Sequence, residues 1–213
     1  MNVFIVESPK FDEVISNVNE SASIKNLCEQ FGHRAISVTE FSTNGLEYLS
    51  SSISNSWLDS ANEMLCIHVS CHGNNDGVSF GDDFMTWGDF LLCFKDVLTH
   101  DNSAKLIFCI SACGTKSQQF TGYCKRLHDE LGLQPPKYWV LFDQEKISWR
   151  RSLVCWSNVY YALSNNDKYQ ARRMQRAVKA SKCITNGNAA LMYYLWDVDK
   201  SKYEPFRATG FKV

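Results

Sequence analysis

No apolar run in these 213 residues approaches the roughly 18 that a membrane-crossing helix needs, so no stretch reads as a membrane span. An excess of charge of one sign is missing too. The formal net charge of −1 gives no general pull toward nucleic acid or an acidic membrane, and neither is expected as a partner. The nine cysteines contain no C-x-x-C pair, which removes the usual spacing of thioredoxin-like redox centres and zinc ribbons. There is no G-x-G-x-x-G, no Walker loop and no G-x-S-x-G, so neither a nucleotide cradle nor a serine nucleophile elbow is signalled. Repeats, low-complexity tracts and linkers are also lacking. The amino-terminal MNVFIVESPK shows neither a basic leader nor a long apolar signal core, so a reduced cytoplasm is the expected location. Most cysteines are then expected to act as small buried apolar residues.

What is present is a folding sequence, 45% hydrophobic and 13% aromatic, of a length that suits one domain spanning residues 1–213. Strand-like and helix-like segments alternate. Strands are expected at 2–6, 34–41, 64–70, 78–80, 105–110, 138–142 and 191–196, the short 78–80 segment lying between turns. Helical periodicity runs to about Phe31, then over Leu46 to about Trp57, Thr86 to Thr99, Ser117 to Leu133, Ser152 to Leu163 and Gln170 to Lys182. Such alternation predicts an α/β three-layer sandwich, with a mostly parallel sheet of about six strands covered by helices on both faces.

Two runs stand out within this plan. EMLCIHVSCHG and KLIFCISACGT are each an apolar strand that stops at a small residue beside a reactive one. The first delivers His72-Gly73 and the second Cys113-Gly114, 41 positions apart. Reactive groups at the carboxyl ends of parallel strands lie where open sheets place their ligands. A Cys and a His brought to one sheet edge can form the pair that nucleophilic thiol catalysis requires.

The ordered set of strand, SCHG, turn, GVSFG, helix, strand and SACG resembles the caspase-like cysteine peptidases, a group that includes caspases, metacaspases and CHAT-type proteases. The resemblance covers about residues 62–165. It implies Cys113 as nucleophile, His72 as its acid/base partner, and an oxyanion hole made by the backbone N–H groups of Gly73 and Cys113. It also implies that Ser111, where caspases carry Gln and metacaspases Asp, helps to build the pocket for the residue before the cut. Ser148-Trp149-Arg150 matches a caspase substrate-groove tripeptide, and Arg150 in that role favours an acidic residue before the cut. Asp143, at the end of a strand, favours Lys or Arg instead. Both readings stay open at this stage.

Only 24 positions separate Cys113 from Lys137, most of them helical, which leaves little room for a cleavable linker. Activity is therefore expected to be switched on by a bound small molecule or a partner protein, and a homo-oligomer is compatible with this. By family analogy the chain is a regulated effector cutting cellular proteins, in antiviral defence or programmed cell death. No cofactor and no metal are expected. Cys66, His68, Cys71 and His72 are potential zinc ligands, but they lack the loop spacing of a zinc site. The alternatives are a catalytically silent caspase-like scaffold and an unrelated α/β enzyme. A phosphatase is disfavoured because no Arg closely follows Cys113. Cys71, beside His72, is the alternative nucleophile, but it points away from the His if the strand continues and so reads as packing. His68 reads as a satisfied core histidine, and the basic stripe Arg172, Arg173, Arg176, Lys179 and Lys182 as a solvated helix face.

Overall fold

The structure, a computed structural model, describes residues 1–10, 12, 19–58, 63–99, 105–114, 117–142, 147–165, 168–184 and 191–207. In chain order its elements are β1 (Asn2–Ser8), α1 (Glu20–Gln30), β2 (Arg34–Thr39), α2 (Thr43–Leu58) and β3 (Leu65–Gly73). There follow β4 (Gly77–Phe80), β5 (Asp83–Thr86), α3 (Trp87–Cys93), α4 (Lys95–Leu98), β6 (Leu106–Ser111) and α5 (Ser117–Leu131). The chain continues with β7 (Tyr138–Phe142), α6 (Trp149–Leu163), α7 (Gln170–Ile184), β8 (Leu191–Asp197) and β9 (Lys202–Arg207).

The sheet runs β2-β1-β3-β6-β7-β8-β9. Pairings from β2 to β7 are parallel, and β8 and β9 are added antiparallel. The continuous path therefore has seven strands where about six were expected. The addition is β9: its alternation is interrupted by Pro205 and dominated by charge, as suits an edge strand, so it reads as a polar tail. A second departure is β5, which pairs with β4 as a small hairpin. The 86–99 helix divides at Phe94 into α3 and α4, with Thr86 Oγ1 accepting the Asp89 N–H as its cap.

Side-chain alternation sorts the core into two layers. Leu65, Ile67, Val69 and Cys71 of β3, with Leu106, Phe108 and Ile110 of β6, pack in a core shared with α2, α3 and α4. Cys66 of β3, with Ile107 and Cys109 of β6, packs on the other face with α1, α6 and α7. Apolar residues on both sides explain why these strands read as continuous hydrophobic runs.

At the carboxyl ends of the adjacent strands β1, β3 and β6 that second face turns polar. Glu7 of β1 is in register with Ser70 of β3, and Ser70 with Ser111 of β6. All three are buried. His72 and Cys113 each lie two residues beyond this row, so the row is the floor on which the two motifs stand.

One polar group deeper in the strands is only half satisfied. His68 is fully buried, its Nδ1 is 2.9 Å from the Tyr160 hydroxyl, and its Nε2 has no partner. Burial pushes its pKa down to about 3, so the ring stays neutral. The expected satisfied core histidine is thus satisfied at one nitrogen. Tyr160→Phe removes that bond as well, and should cost about 1–3 kcal/mol in urea denaturation. An unchanged midpoint would contradict this account.

Candidate active site

The site begins with how the two motif strands end. β3 does not stop at Ser70: His72 and Gly73 continue it by pairing with Ser79 and Val78 of β4. Asn74 then closes the hairpin, its N–H donating to the Gly77 carbonyl and its Oδ1 accepting from the N–H groups of Asp76 and Gly77. Trp87 Nε1 donates to the Asn74 carbonyl and pins the turn to α3. His72 is therefore held by a strand and a locked turn.

Beyond β6 the chain passes against this turn with no room for side chains. A Cβ on Gly73 would lie 2.7 Å from the Cys113 carbonyl oxygen and 3.1 Å from Ala112 Cβ. A Cβ on Gly114 would lie 2.5 Å from Asn74 Cα, and Gly114 has φ +78°, a conformation that L side chains rarely adopt. The two glycines let the backbones touch and bring both motifs to one place.

That place is a cavity of about 70 Å³. Cys71 and His72 line it from β3, Ser111, Ala112 and Cys113 from β6 and its exit, and Ile147, Trp149 and Ser152 from α6 and the residues before it. Cys113 is half-buried. The imidazole of His72 meets the Trp149 ring edge-on, with centroids 6.2 Å apart. A wider groove, about 860 Å³, is lined by Pro9, Lys10, Asp12, Phe41 and Gly81–Asp83, and brings neither Cys nor His to its wall.

The second thiol at this cavity is of a different character. Cys71 lines the same cavity but is buried, and desolvation, with the nearby Cys113 and Glu20, pushes its thiol far above the ordinary range. Burial raises the thiols of Cys28, Cys93, Cys124 and Cys155 as well.

Of the other residues predicted for the site, Ser111 and Trp149 line the cavity. Ser148 is exposed at the N-cap of α6 without a side-chain cap bond, and Arg150 is exposed and outside the cavity wall. Asp143 lies outside the described residues.

The residue that sequence reasoning missed is Glu20. It opens α1 after the N-cap Asn19, whose Oδ1 accepts from the Ala22 N–H. The carboxylate of Glu7 accepts from the N–H groups of Glu20 and Ser21 at 2.7 and 3.2 Å, which fixes this helix end above the polar row. Glu20 is 4% exposed, and its carboxyl is ringed by hydroxyls: Ser70 at 2.6 Å, Ser152 at 2.5 Å, and Ser111. Trp156 Nε1 donates in turn to Ser111 Oγ at 3.0 Å. The available signal was Asn19-Glu20-Ser21, a helix start with a capping residue and an acidic first turn. A longer apolar periodicity running to Phe31 masks it.

Burial pushes the Glu20 pKa up to about 7, against the serine hydroxyls that lower it and with the Glu7 charge that raises it further. Between the ordinary value of 4.5 and about 7 the folded protein alone keeps this proton. The stability it contributes is therefore complete at low pH and lost as pH rises through 7.

No protein-family model matches the chain, and no curated protein matches it. Among the described residues no helix is long and apolar enough to cross a membrane.

Glu20→Gln cannot titrate and isolates this linkage. From pH 4.5 to 8 the stability of the wild type relative to the variant should fall by on the order of 3 kcal/mol, measured by denaturant titration. A difference that is flat with pH would contradict the buried, proton-holding carboxyl.

Proposed function

We propose that this chain is a caspase-like cysteine endopeptidase, with Cys113 as nucleophile and His72 as acid/base. The observation that supports it most is the sharing of one cavity by the half-buried Cys113 and His72, at the carboxyl ends of two adjacent parallel strands. The order of motifs along the chain supports the same reading.

In the proposed reaction His72 takes the Cys113 thiol proton as Sγ bonds to the scissile carbonyl carbon. The carbonyl π pair moves to oxygen, where the N–H groups of Gly73 and Cys113 receive it. Loss of one such donor costs on the order of 10²–10³ in rate. The oxyanion collapses, the C–N bond breaks, and His72 returns its proton to the leaving amine. A water deprotonated by His72 then attacks the thioester, releasing the carboxylic acid and restoring the thiol. Trp149, edge-on to the imidazole, limits its rotation, and the missing Cβ of Gly73 lets the Cys113 backbone close on the His72 turn. Control by a bound small molecule or a partner protein belongs to the same proposal, because so few positions lie between Cys113 and β7.

The test is covalent labelling of the native protein by peptidyl acyloxymethyl ketones with Asp, Arg, Lys or Leu before the warhead, with and without cell extract. The adduct should map to Cys113, be absent in Cys113→Ala, and form at least about 100-fold more slowly in His72→Ala. Adducts on Cys71, or no adduct under either condition, would overturn the assignment.

A further inference from the structure

The cavity floor carries more chemistry than peptide-bond cleavage needs. Behind Ser111 and Ser152, which line the cavity, lies the carboxyl of Glu20, which does not. Among the described residues no Lys or Arg lines the cavity to balance it.

Each hydroxyl has one hydrogen to give. When Glu20 is ionised, Ser111 and Ser152 spend theirs on the carboxylate. Ser111 Oγ then accepts from Trp156 Nε1 and retains a second lone pair. Ser152 Oγ lies 2.5 Å from Glu20 Oε1 and 2.7 Å from the Trp149 carbonyl, and its single hydrogen cannot serve both. With Glu20 protonated the conflict vanishes: the carboxyl donates to Ser152 and Ser152 donates to Trp149. In the ionised state the two serine hydroxyls thus have only lone pairs left for the cavity, backed by a buried negative charge. That surface suits a donor cation and repels a carboxylate.

We infer that this cavity receives the Lys or Arg side chain of the residue on the amino side of the cut, with Glu20 the positioning residue that turns the serine oxygens toward it. The inference rests on the peptidase reading and specifies its substrate class. It also bears on the two opposed expectations from the sequence, because the exposed Arg150 is outside the cavity wall.

The proton on Glu20 must leave for the cation to be held, so recognition depends on pH. The titratable groups facing Glu20 are Glu7 on β1 and Cys71 on β3, with His72 and Cys113 across the cavity. Comparing two probes that use the same warhead cancels every pH effect their common chemical step carries.

The experiment compares inactivation rates of the full chain by two acyloxymethyl ketones, lysyl and norleucyl, from pH 6 to 8.5. Lysine stays charged over this range. The lysyl probe should be roughly 10- to 100-fold faster at pH 8, as a charge-assisted buried hydrogen bond implies, and its advantage should shrink toward pH 6. Glu20→Gln should bring the two rates together and remove the pH dependence of their ratio. An aspartyl probe should be slowest in the wild type.

A second readout needs no catalysis or folded variant. In wild-type protein carrying carboxyl-labelled glutamate, n-butylammonium should lower the NMR titration midpoint of Glu20, and n-butanol should not. Equal lysyl and norleucyl rates, a faster aspartyl probe, or indifference of Glu20 to butylammonium would overturn the inference even if Cys113 reacts. Silence of every probe, with butylammonium still shifting Glu20, would support the cation pocket and overturn the peptidase.

Discussion

The contact between two backbones, Gly73 and Asn74 on one side and Cys113 and Gly114 on the other, is the constraint on which the rest of the site depends. Parallel pairing of β3 and β6 aligns the two strands but leaves His72 and Cys113 beyond the last paired residues. Only the missing Cβ atoms allow the chain leaving β6 to fold against the β3–β4 turn. The turn is rigid because Asn74 bonds its own hairpin and Trp87 holds its carbonyl. His72 and Cys113 are therefore both carried on supported backbone, as the proposed dyad requires.

Beneath the pair lies a second constraint, the polar row across β1, β3 and β6. A sheet face that is apolar through Cys66, Ile107 and Cys109 ends in Glu7, Ser70 and Ser111, and those groups are buried by α1 and α6. Buried polar groups need partners. Glu7 finds them in the first N–H groups of α1, and the serines find theirs in Glu20. One network thus orients α1, anchors the first turn of α6 through Ser152, and places a titrating carboxyl behind the cavity wall. Fold stability and the electrostatics of the site are coupled through a single proton.

Much of this was legible from residue order. The apolar strands, the glycines after His72 and Cys113, and the cap at Thr86 are local signals with local causes, and the sheet's parallel core follows from the alternation of elements. What escaped was non-local. Glu20 acts only because three strands bring serines into register beneath it, and no spacing along the chain records that. β9 escaped because an edge strand carrying Lys202, Glu204 and Pro205 has the composition of a solvated tail. Arg150 matched a motif by order, yet its helix phase turns it outward, while Ser152 two residues later faces the cavity. Cys71 and Cys113 differ by burial, which sequence alone does not display.

The central claim is that Cys113 and His72 act as one unit. The most direct measurement is kcat/KM for peptide hydrolysis in Cys113→Ala, His72→Ala and the double variant, with folding checked by circular dichroism. The account predicts a loss of roughly 10³-fold or more in Cys113→Ala, and no further loss when His72→Ala is added, because neither residue functions without the other. Hydrolysis that survives Cys113→Ala, or losses that multiply in the double variant, would contradict it.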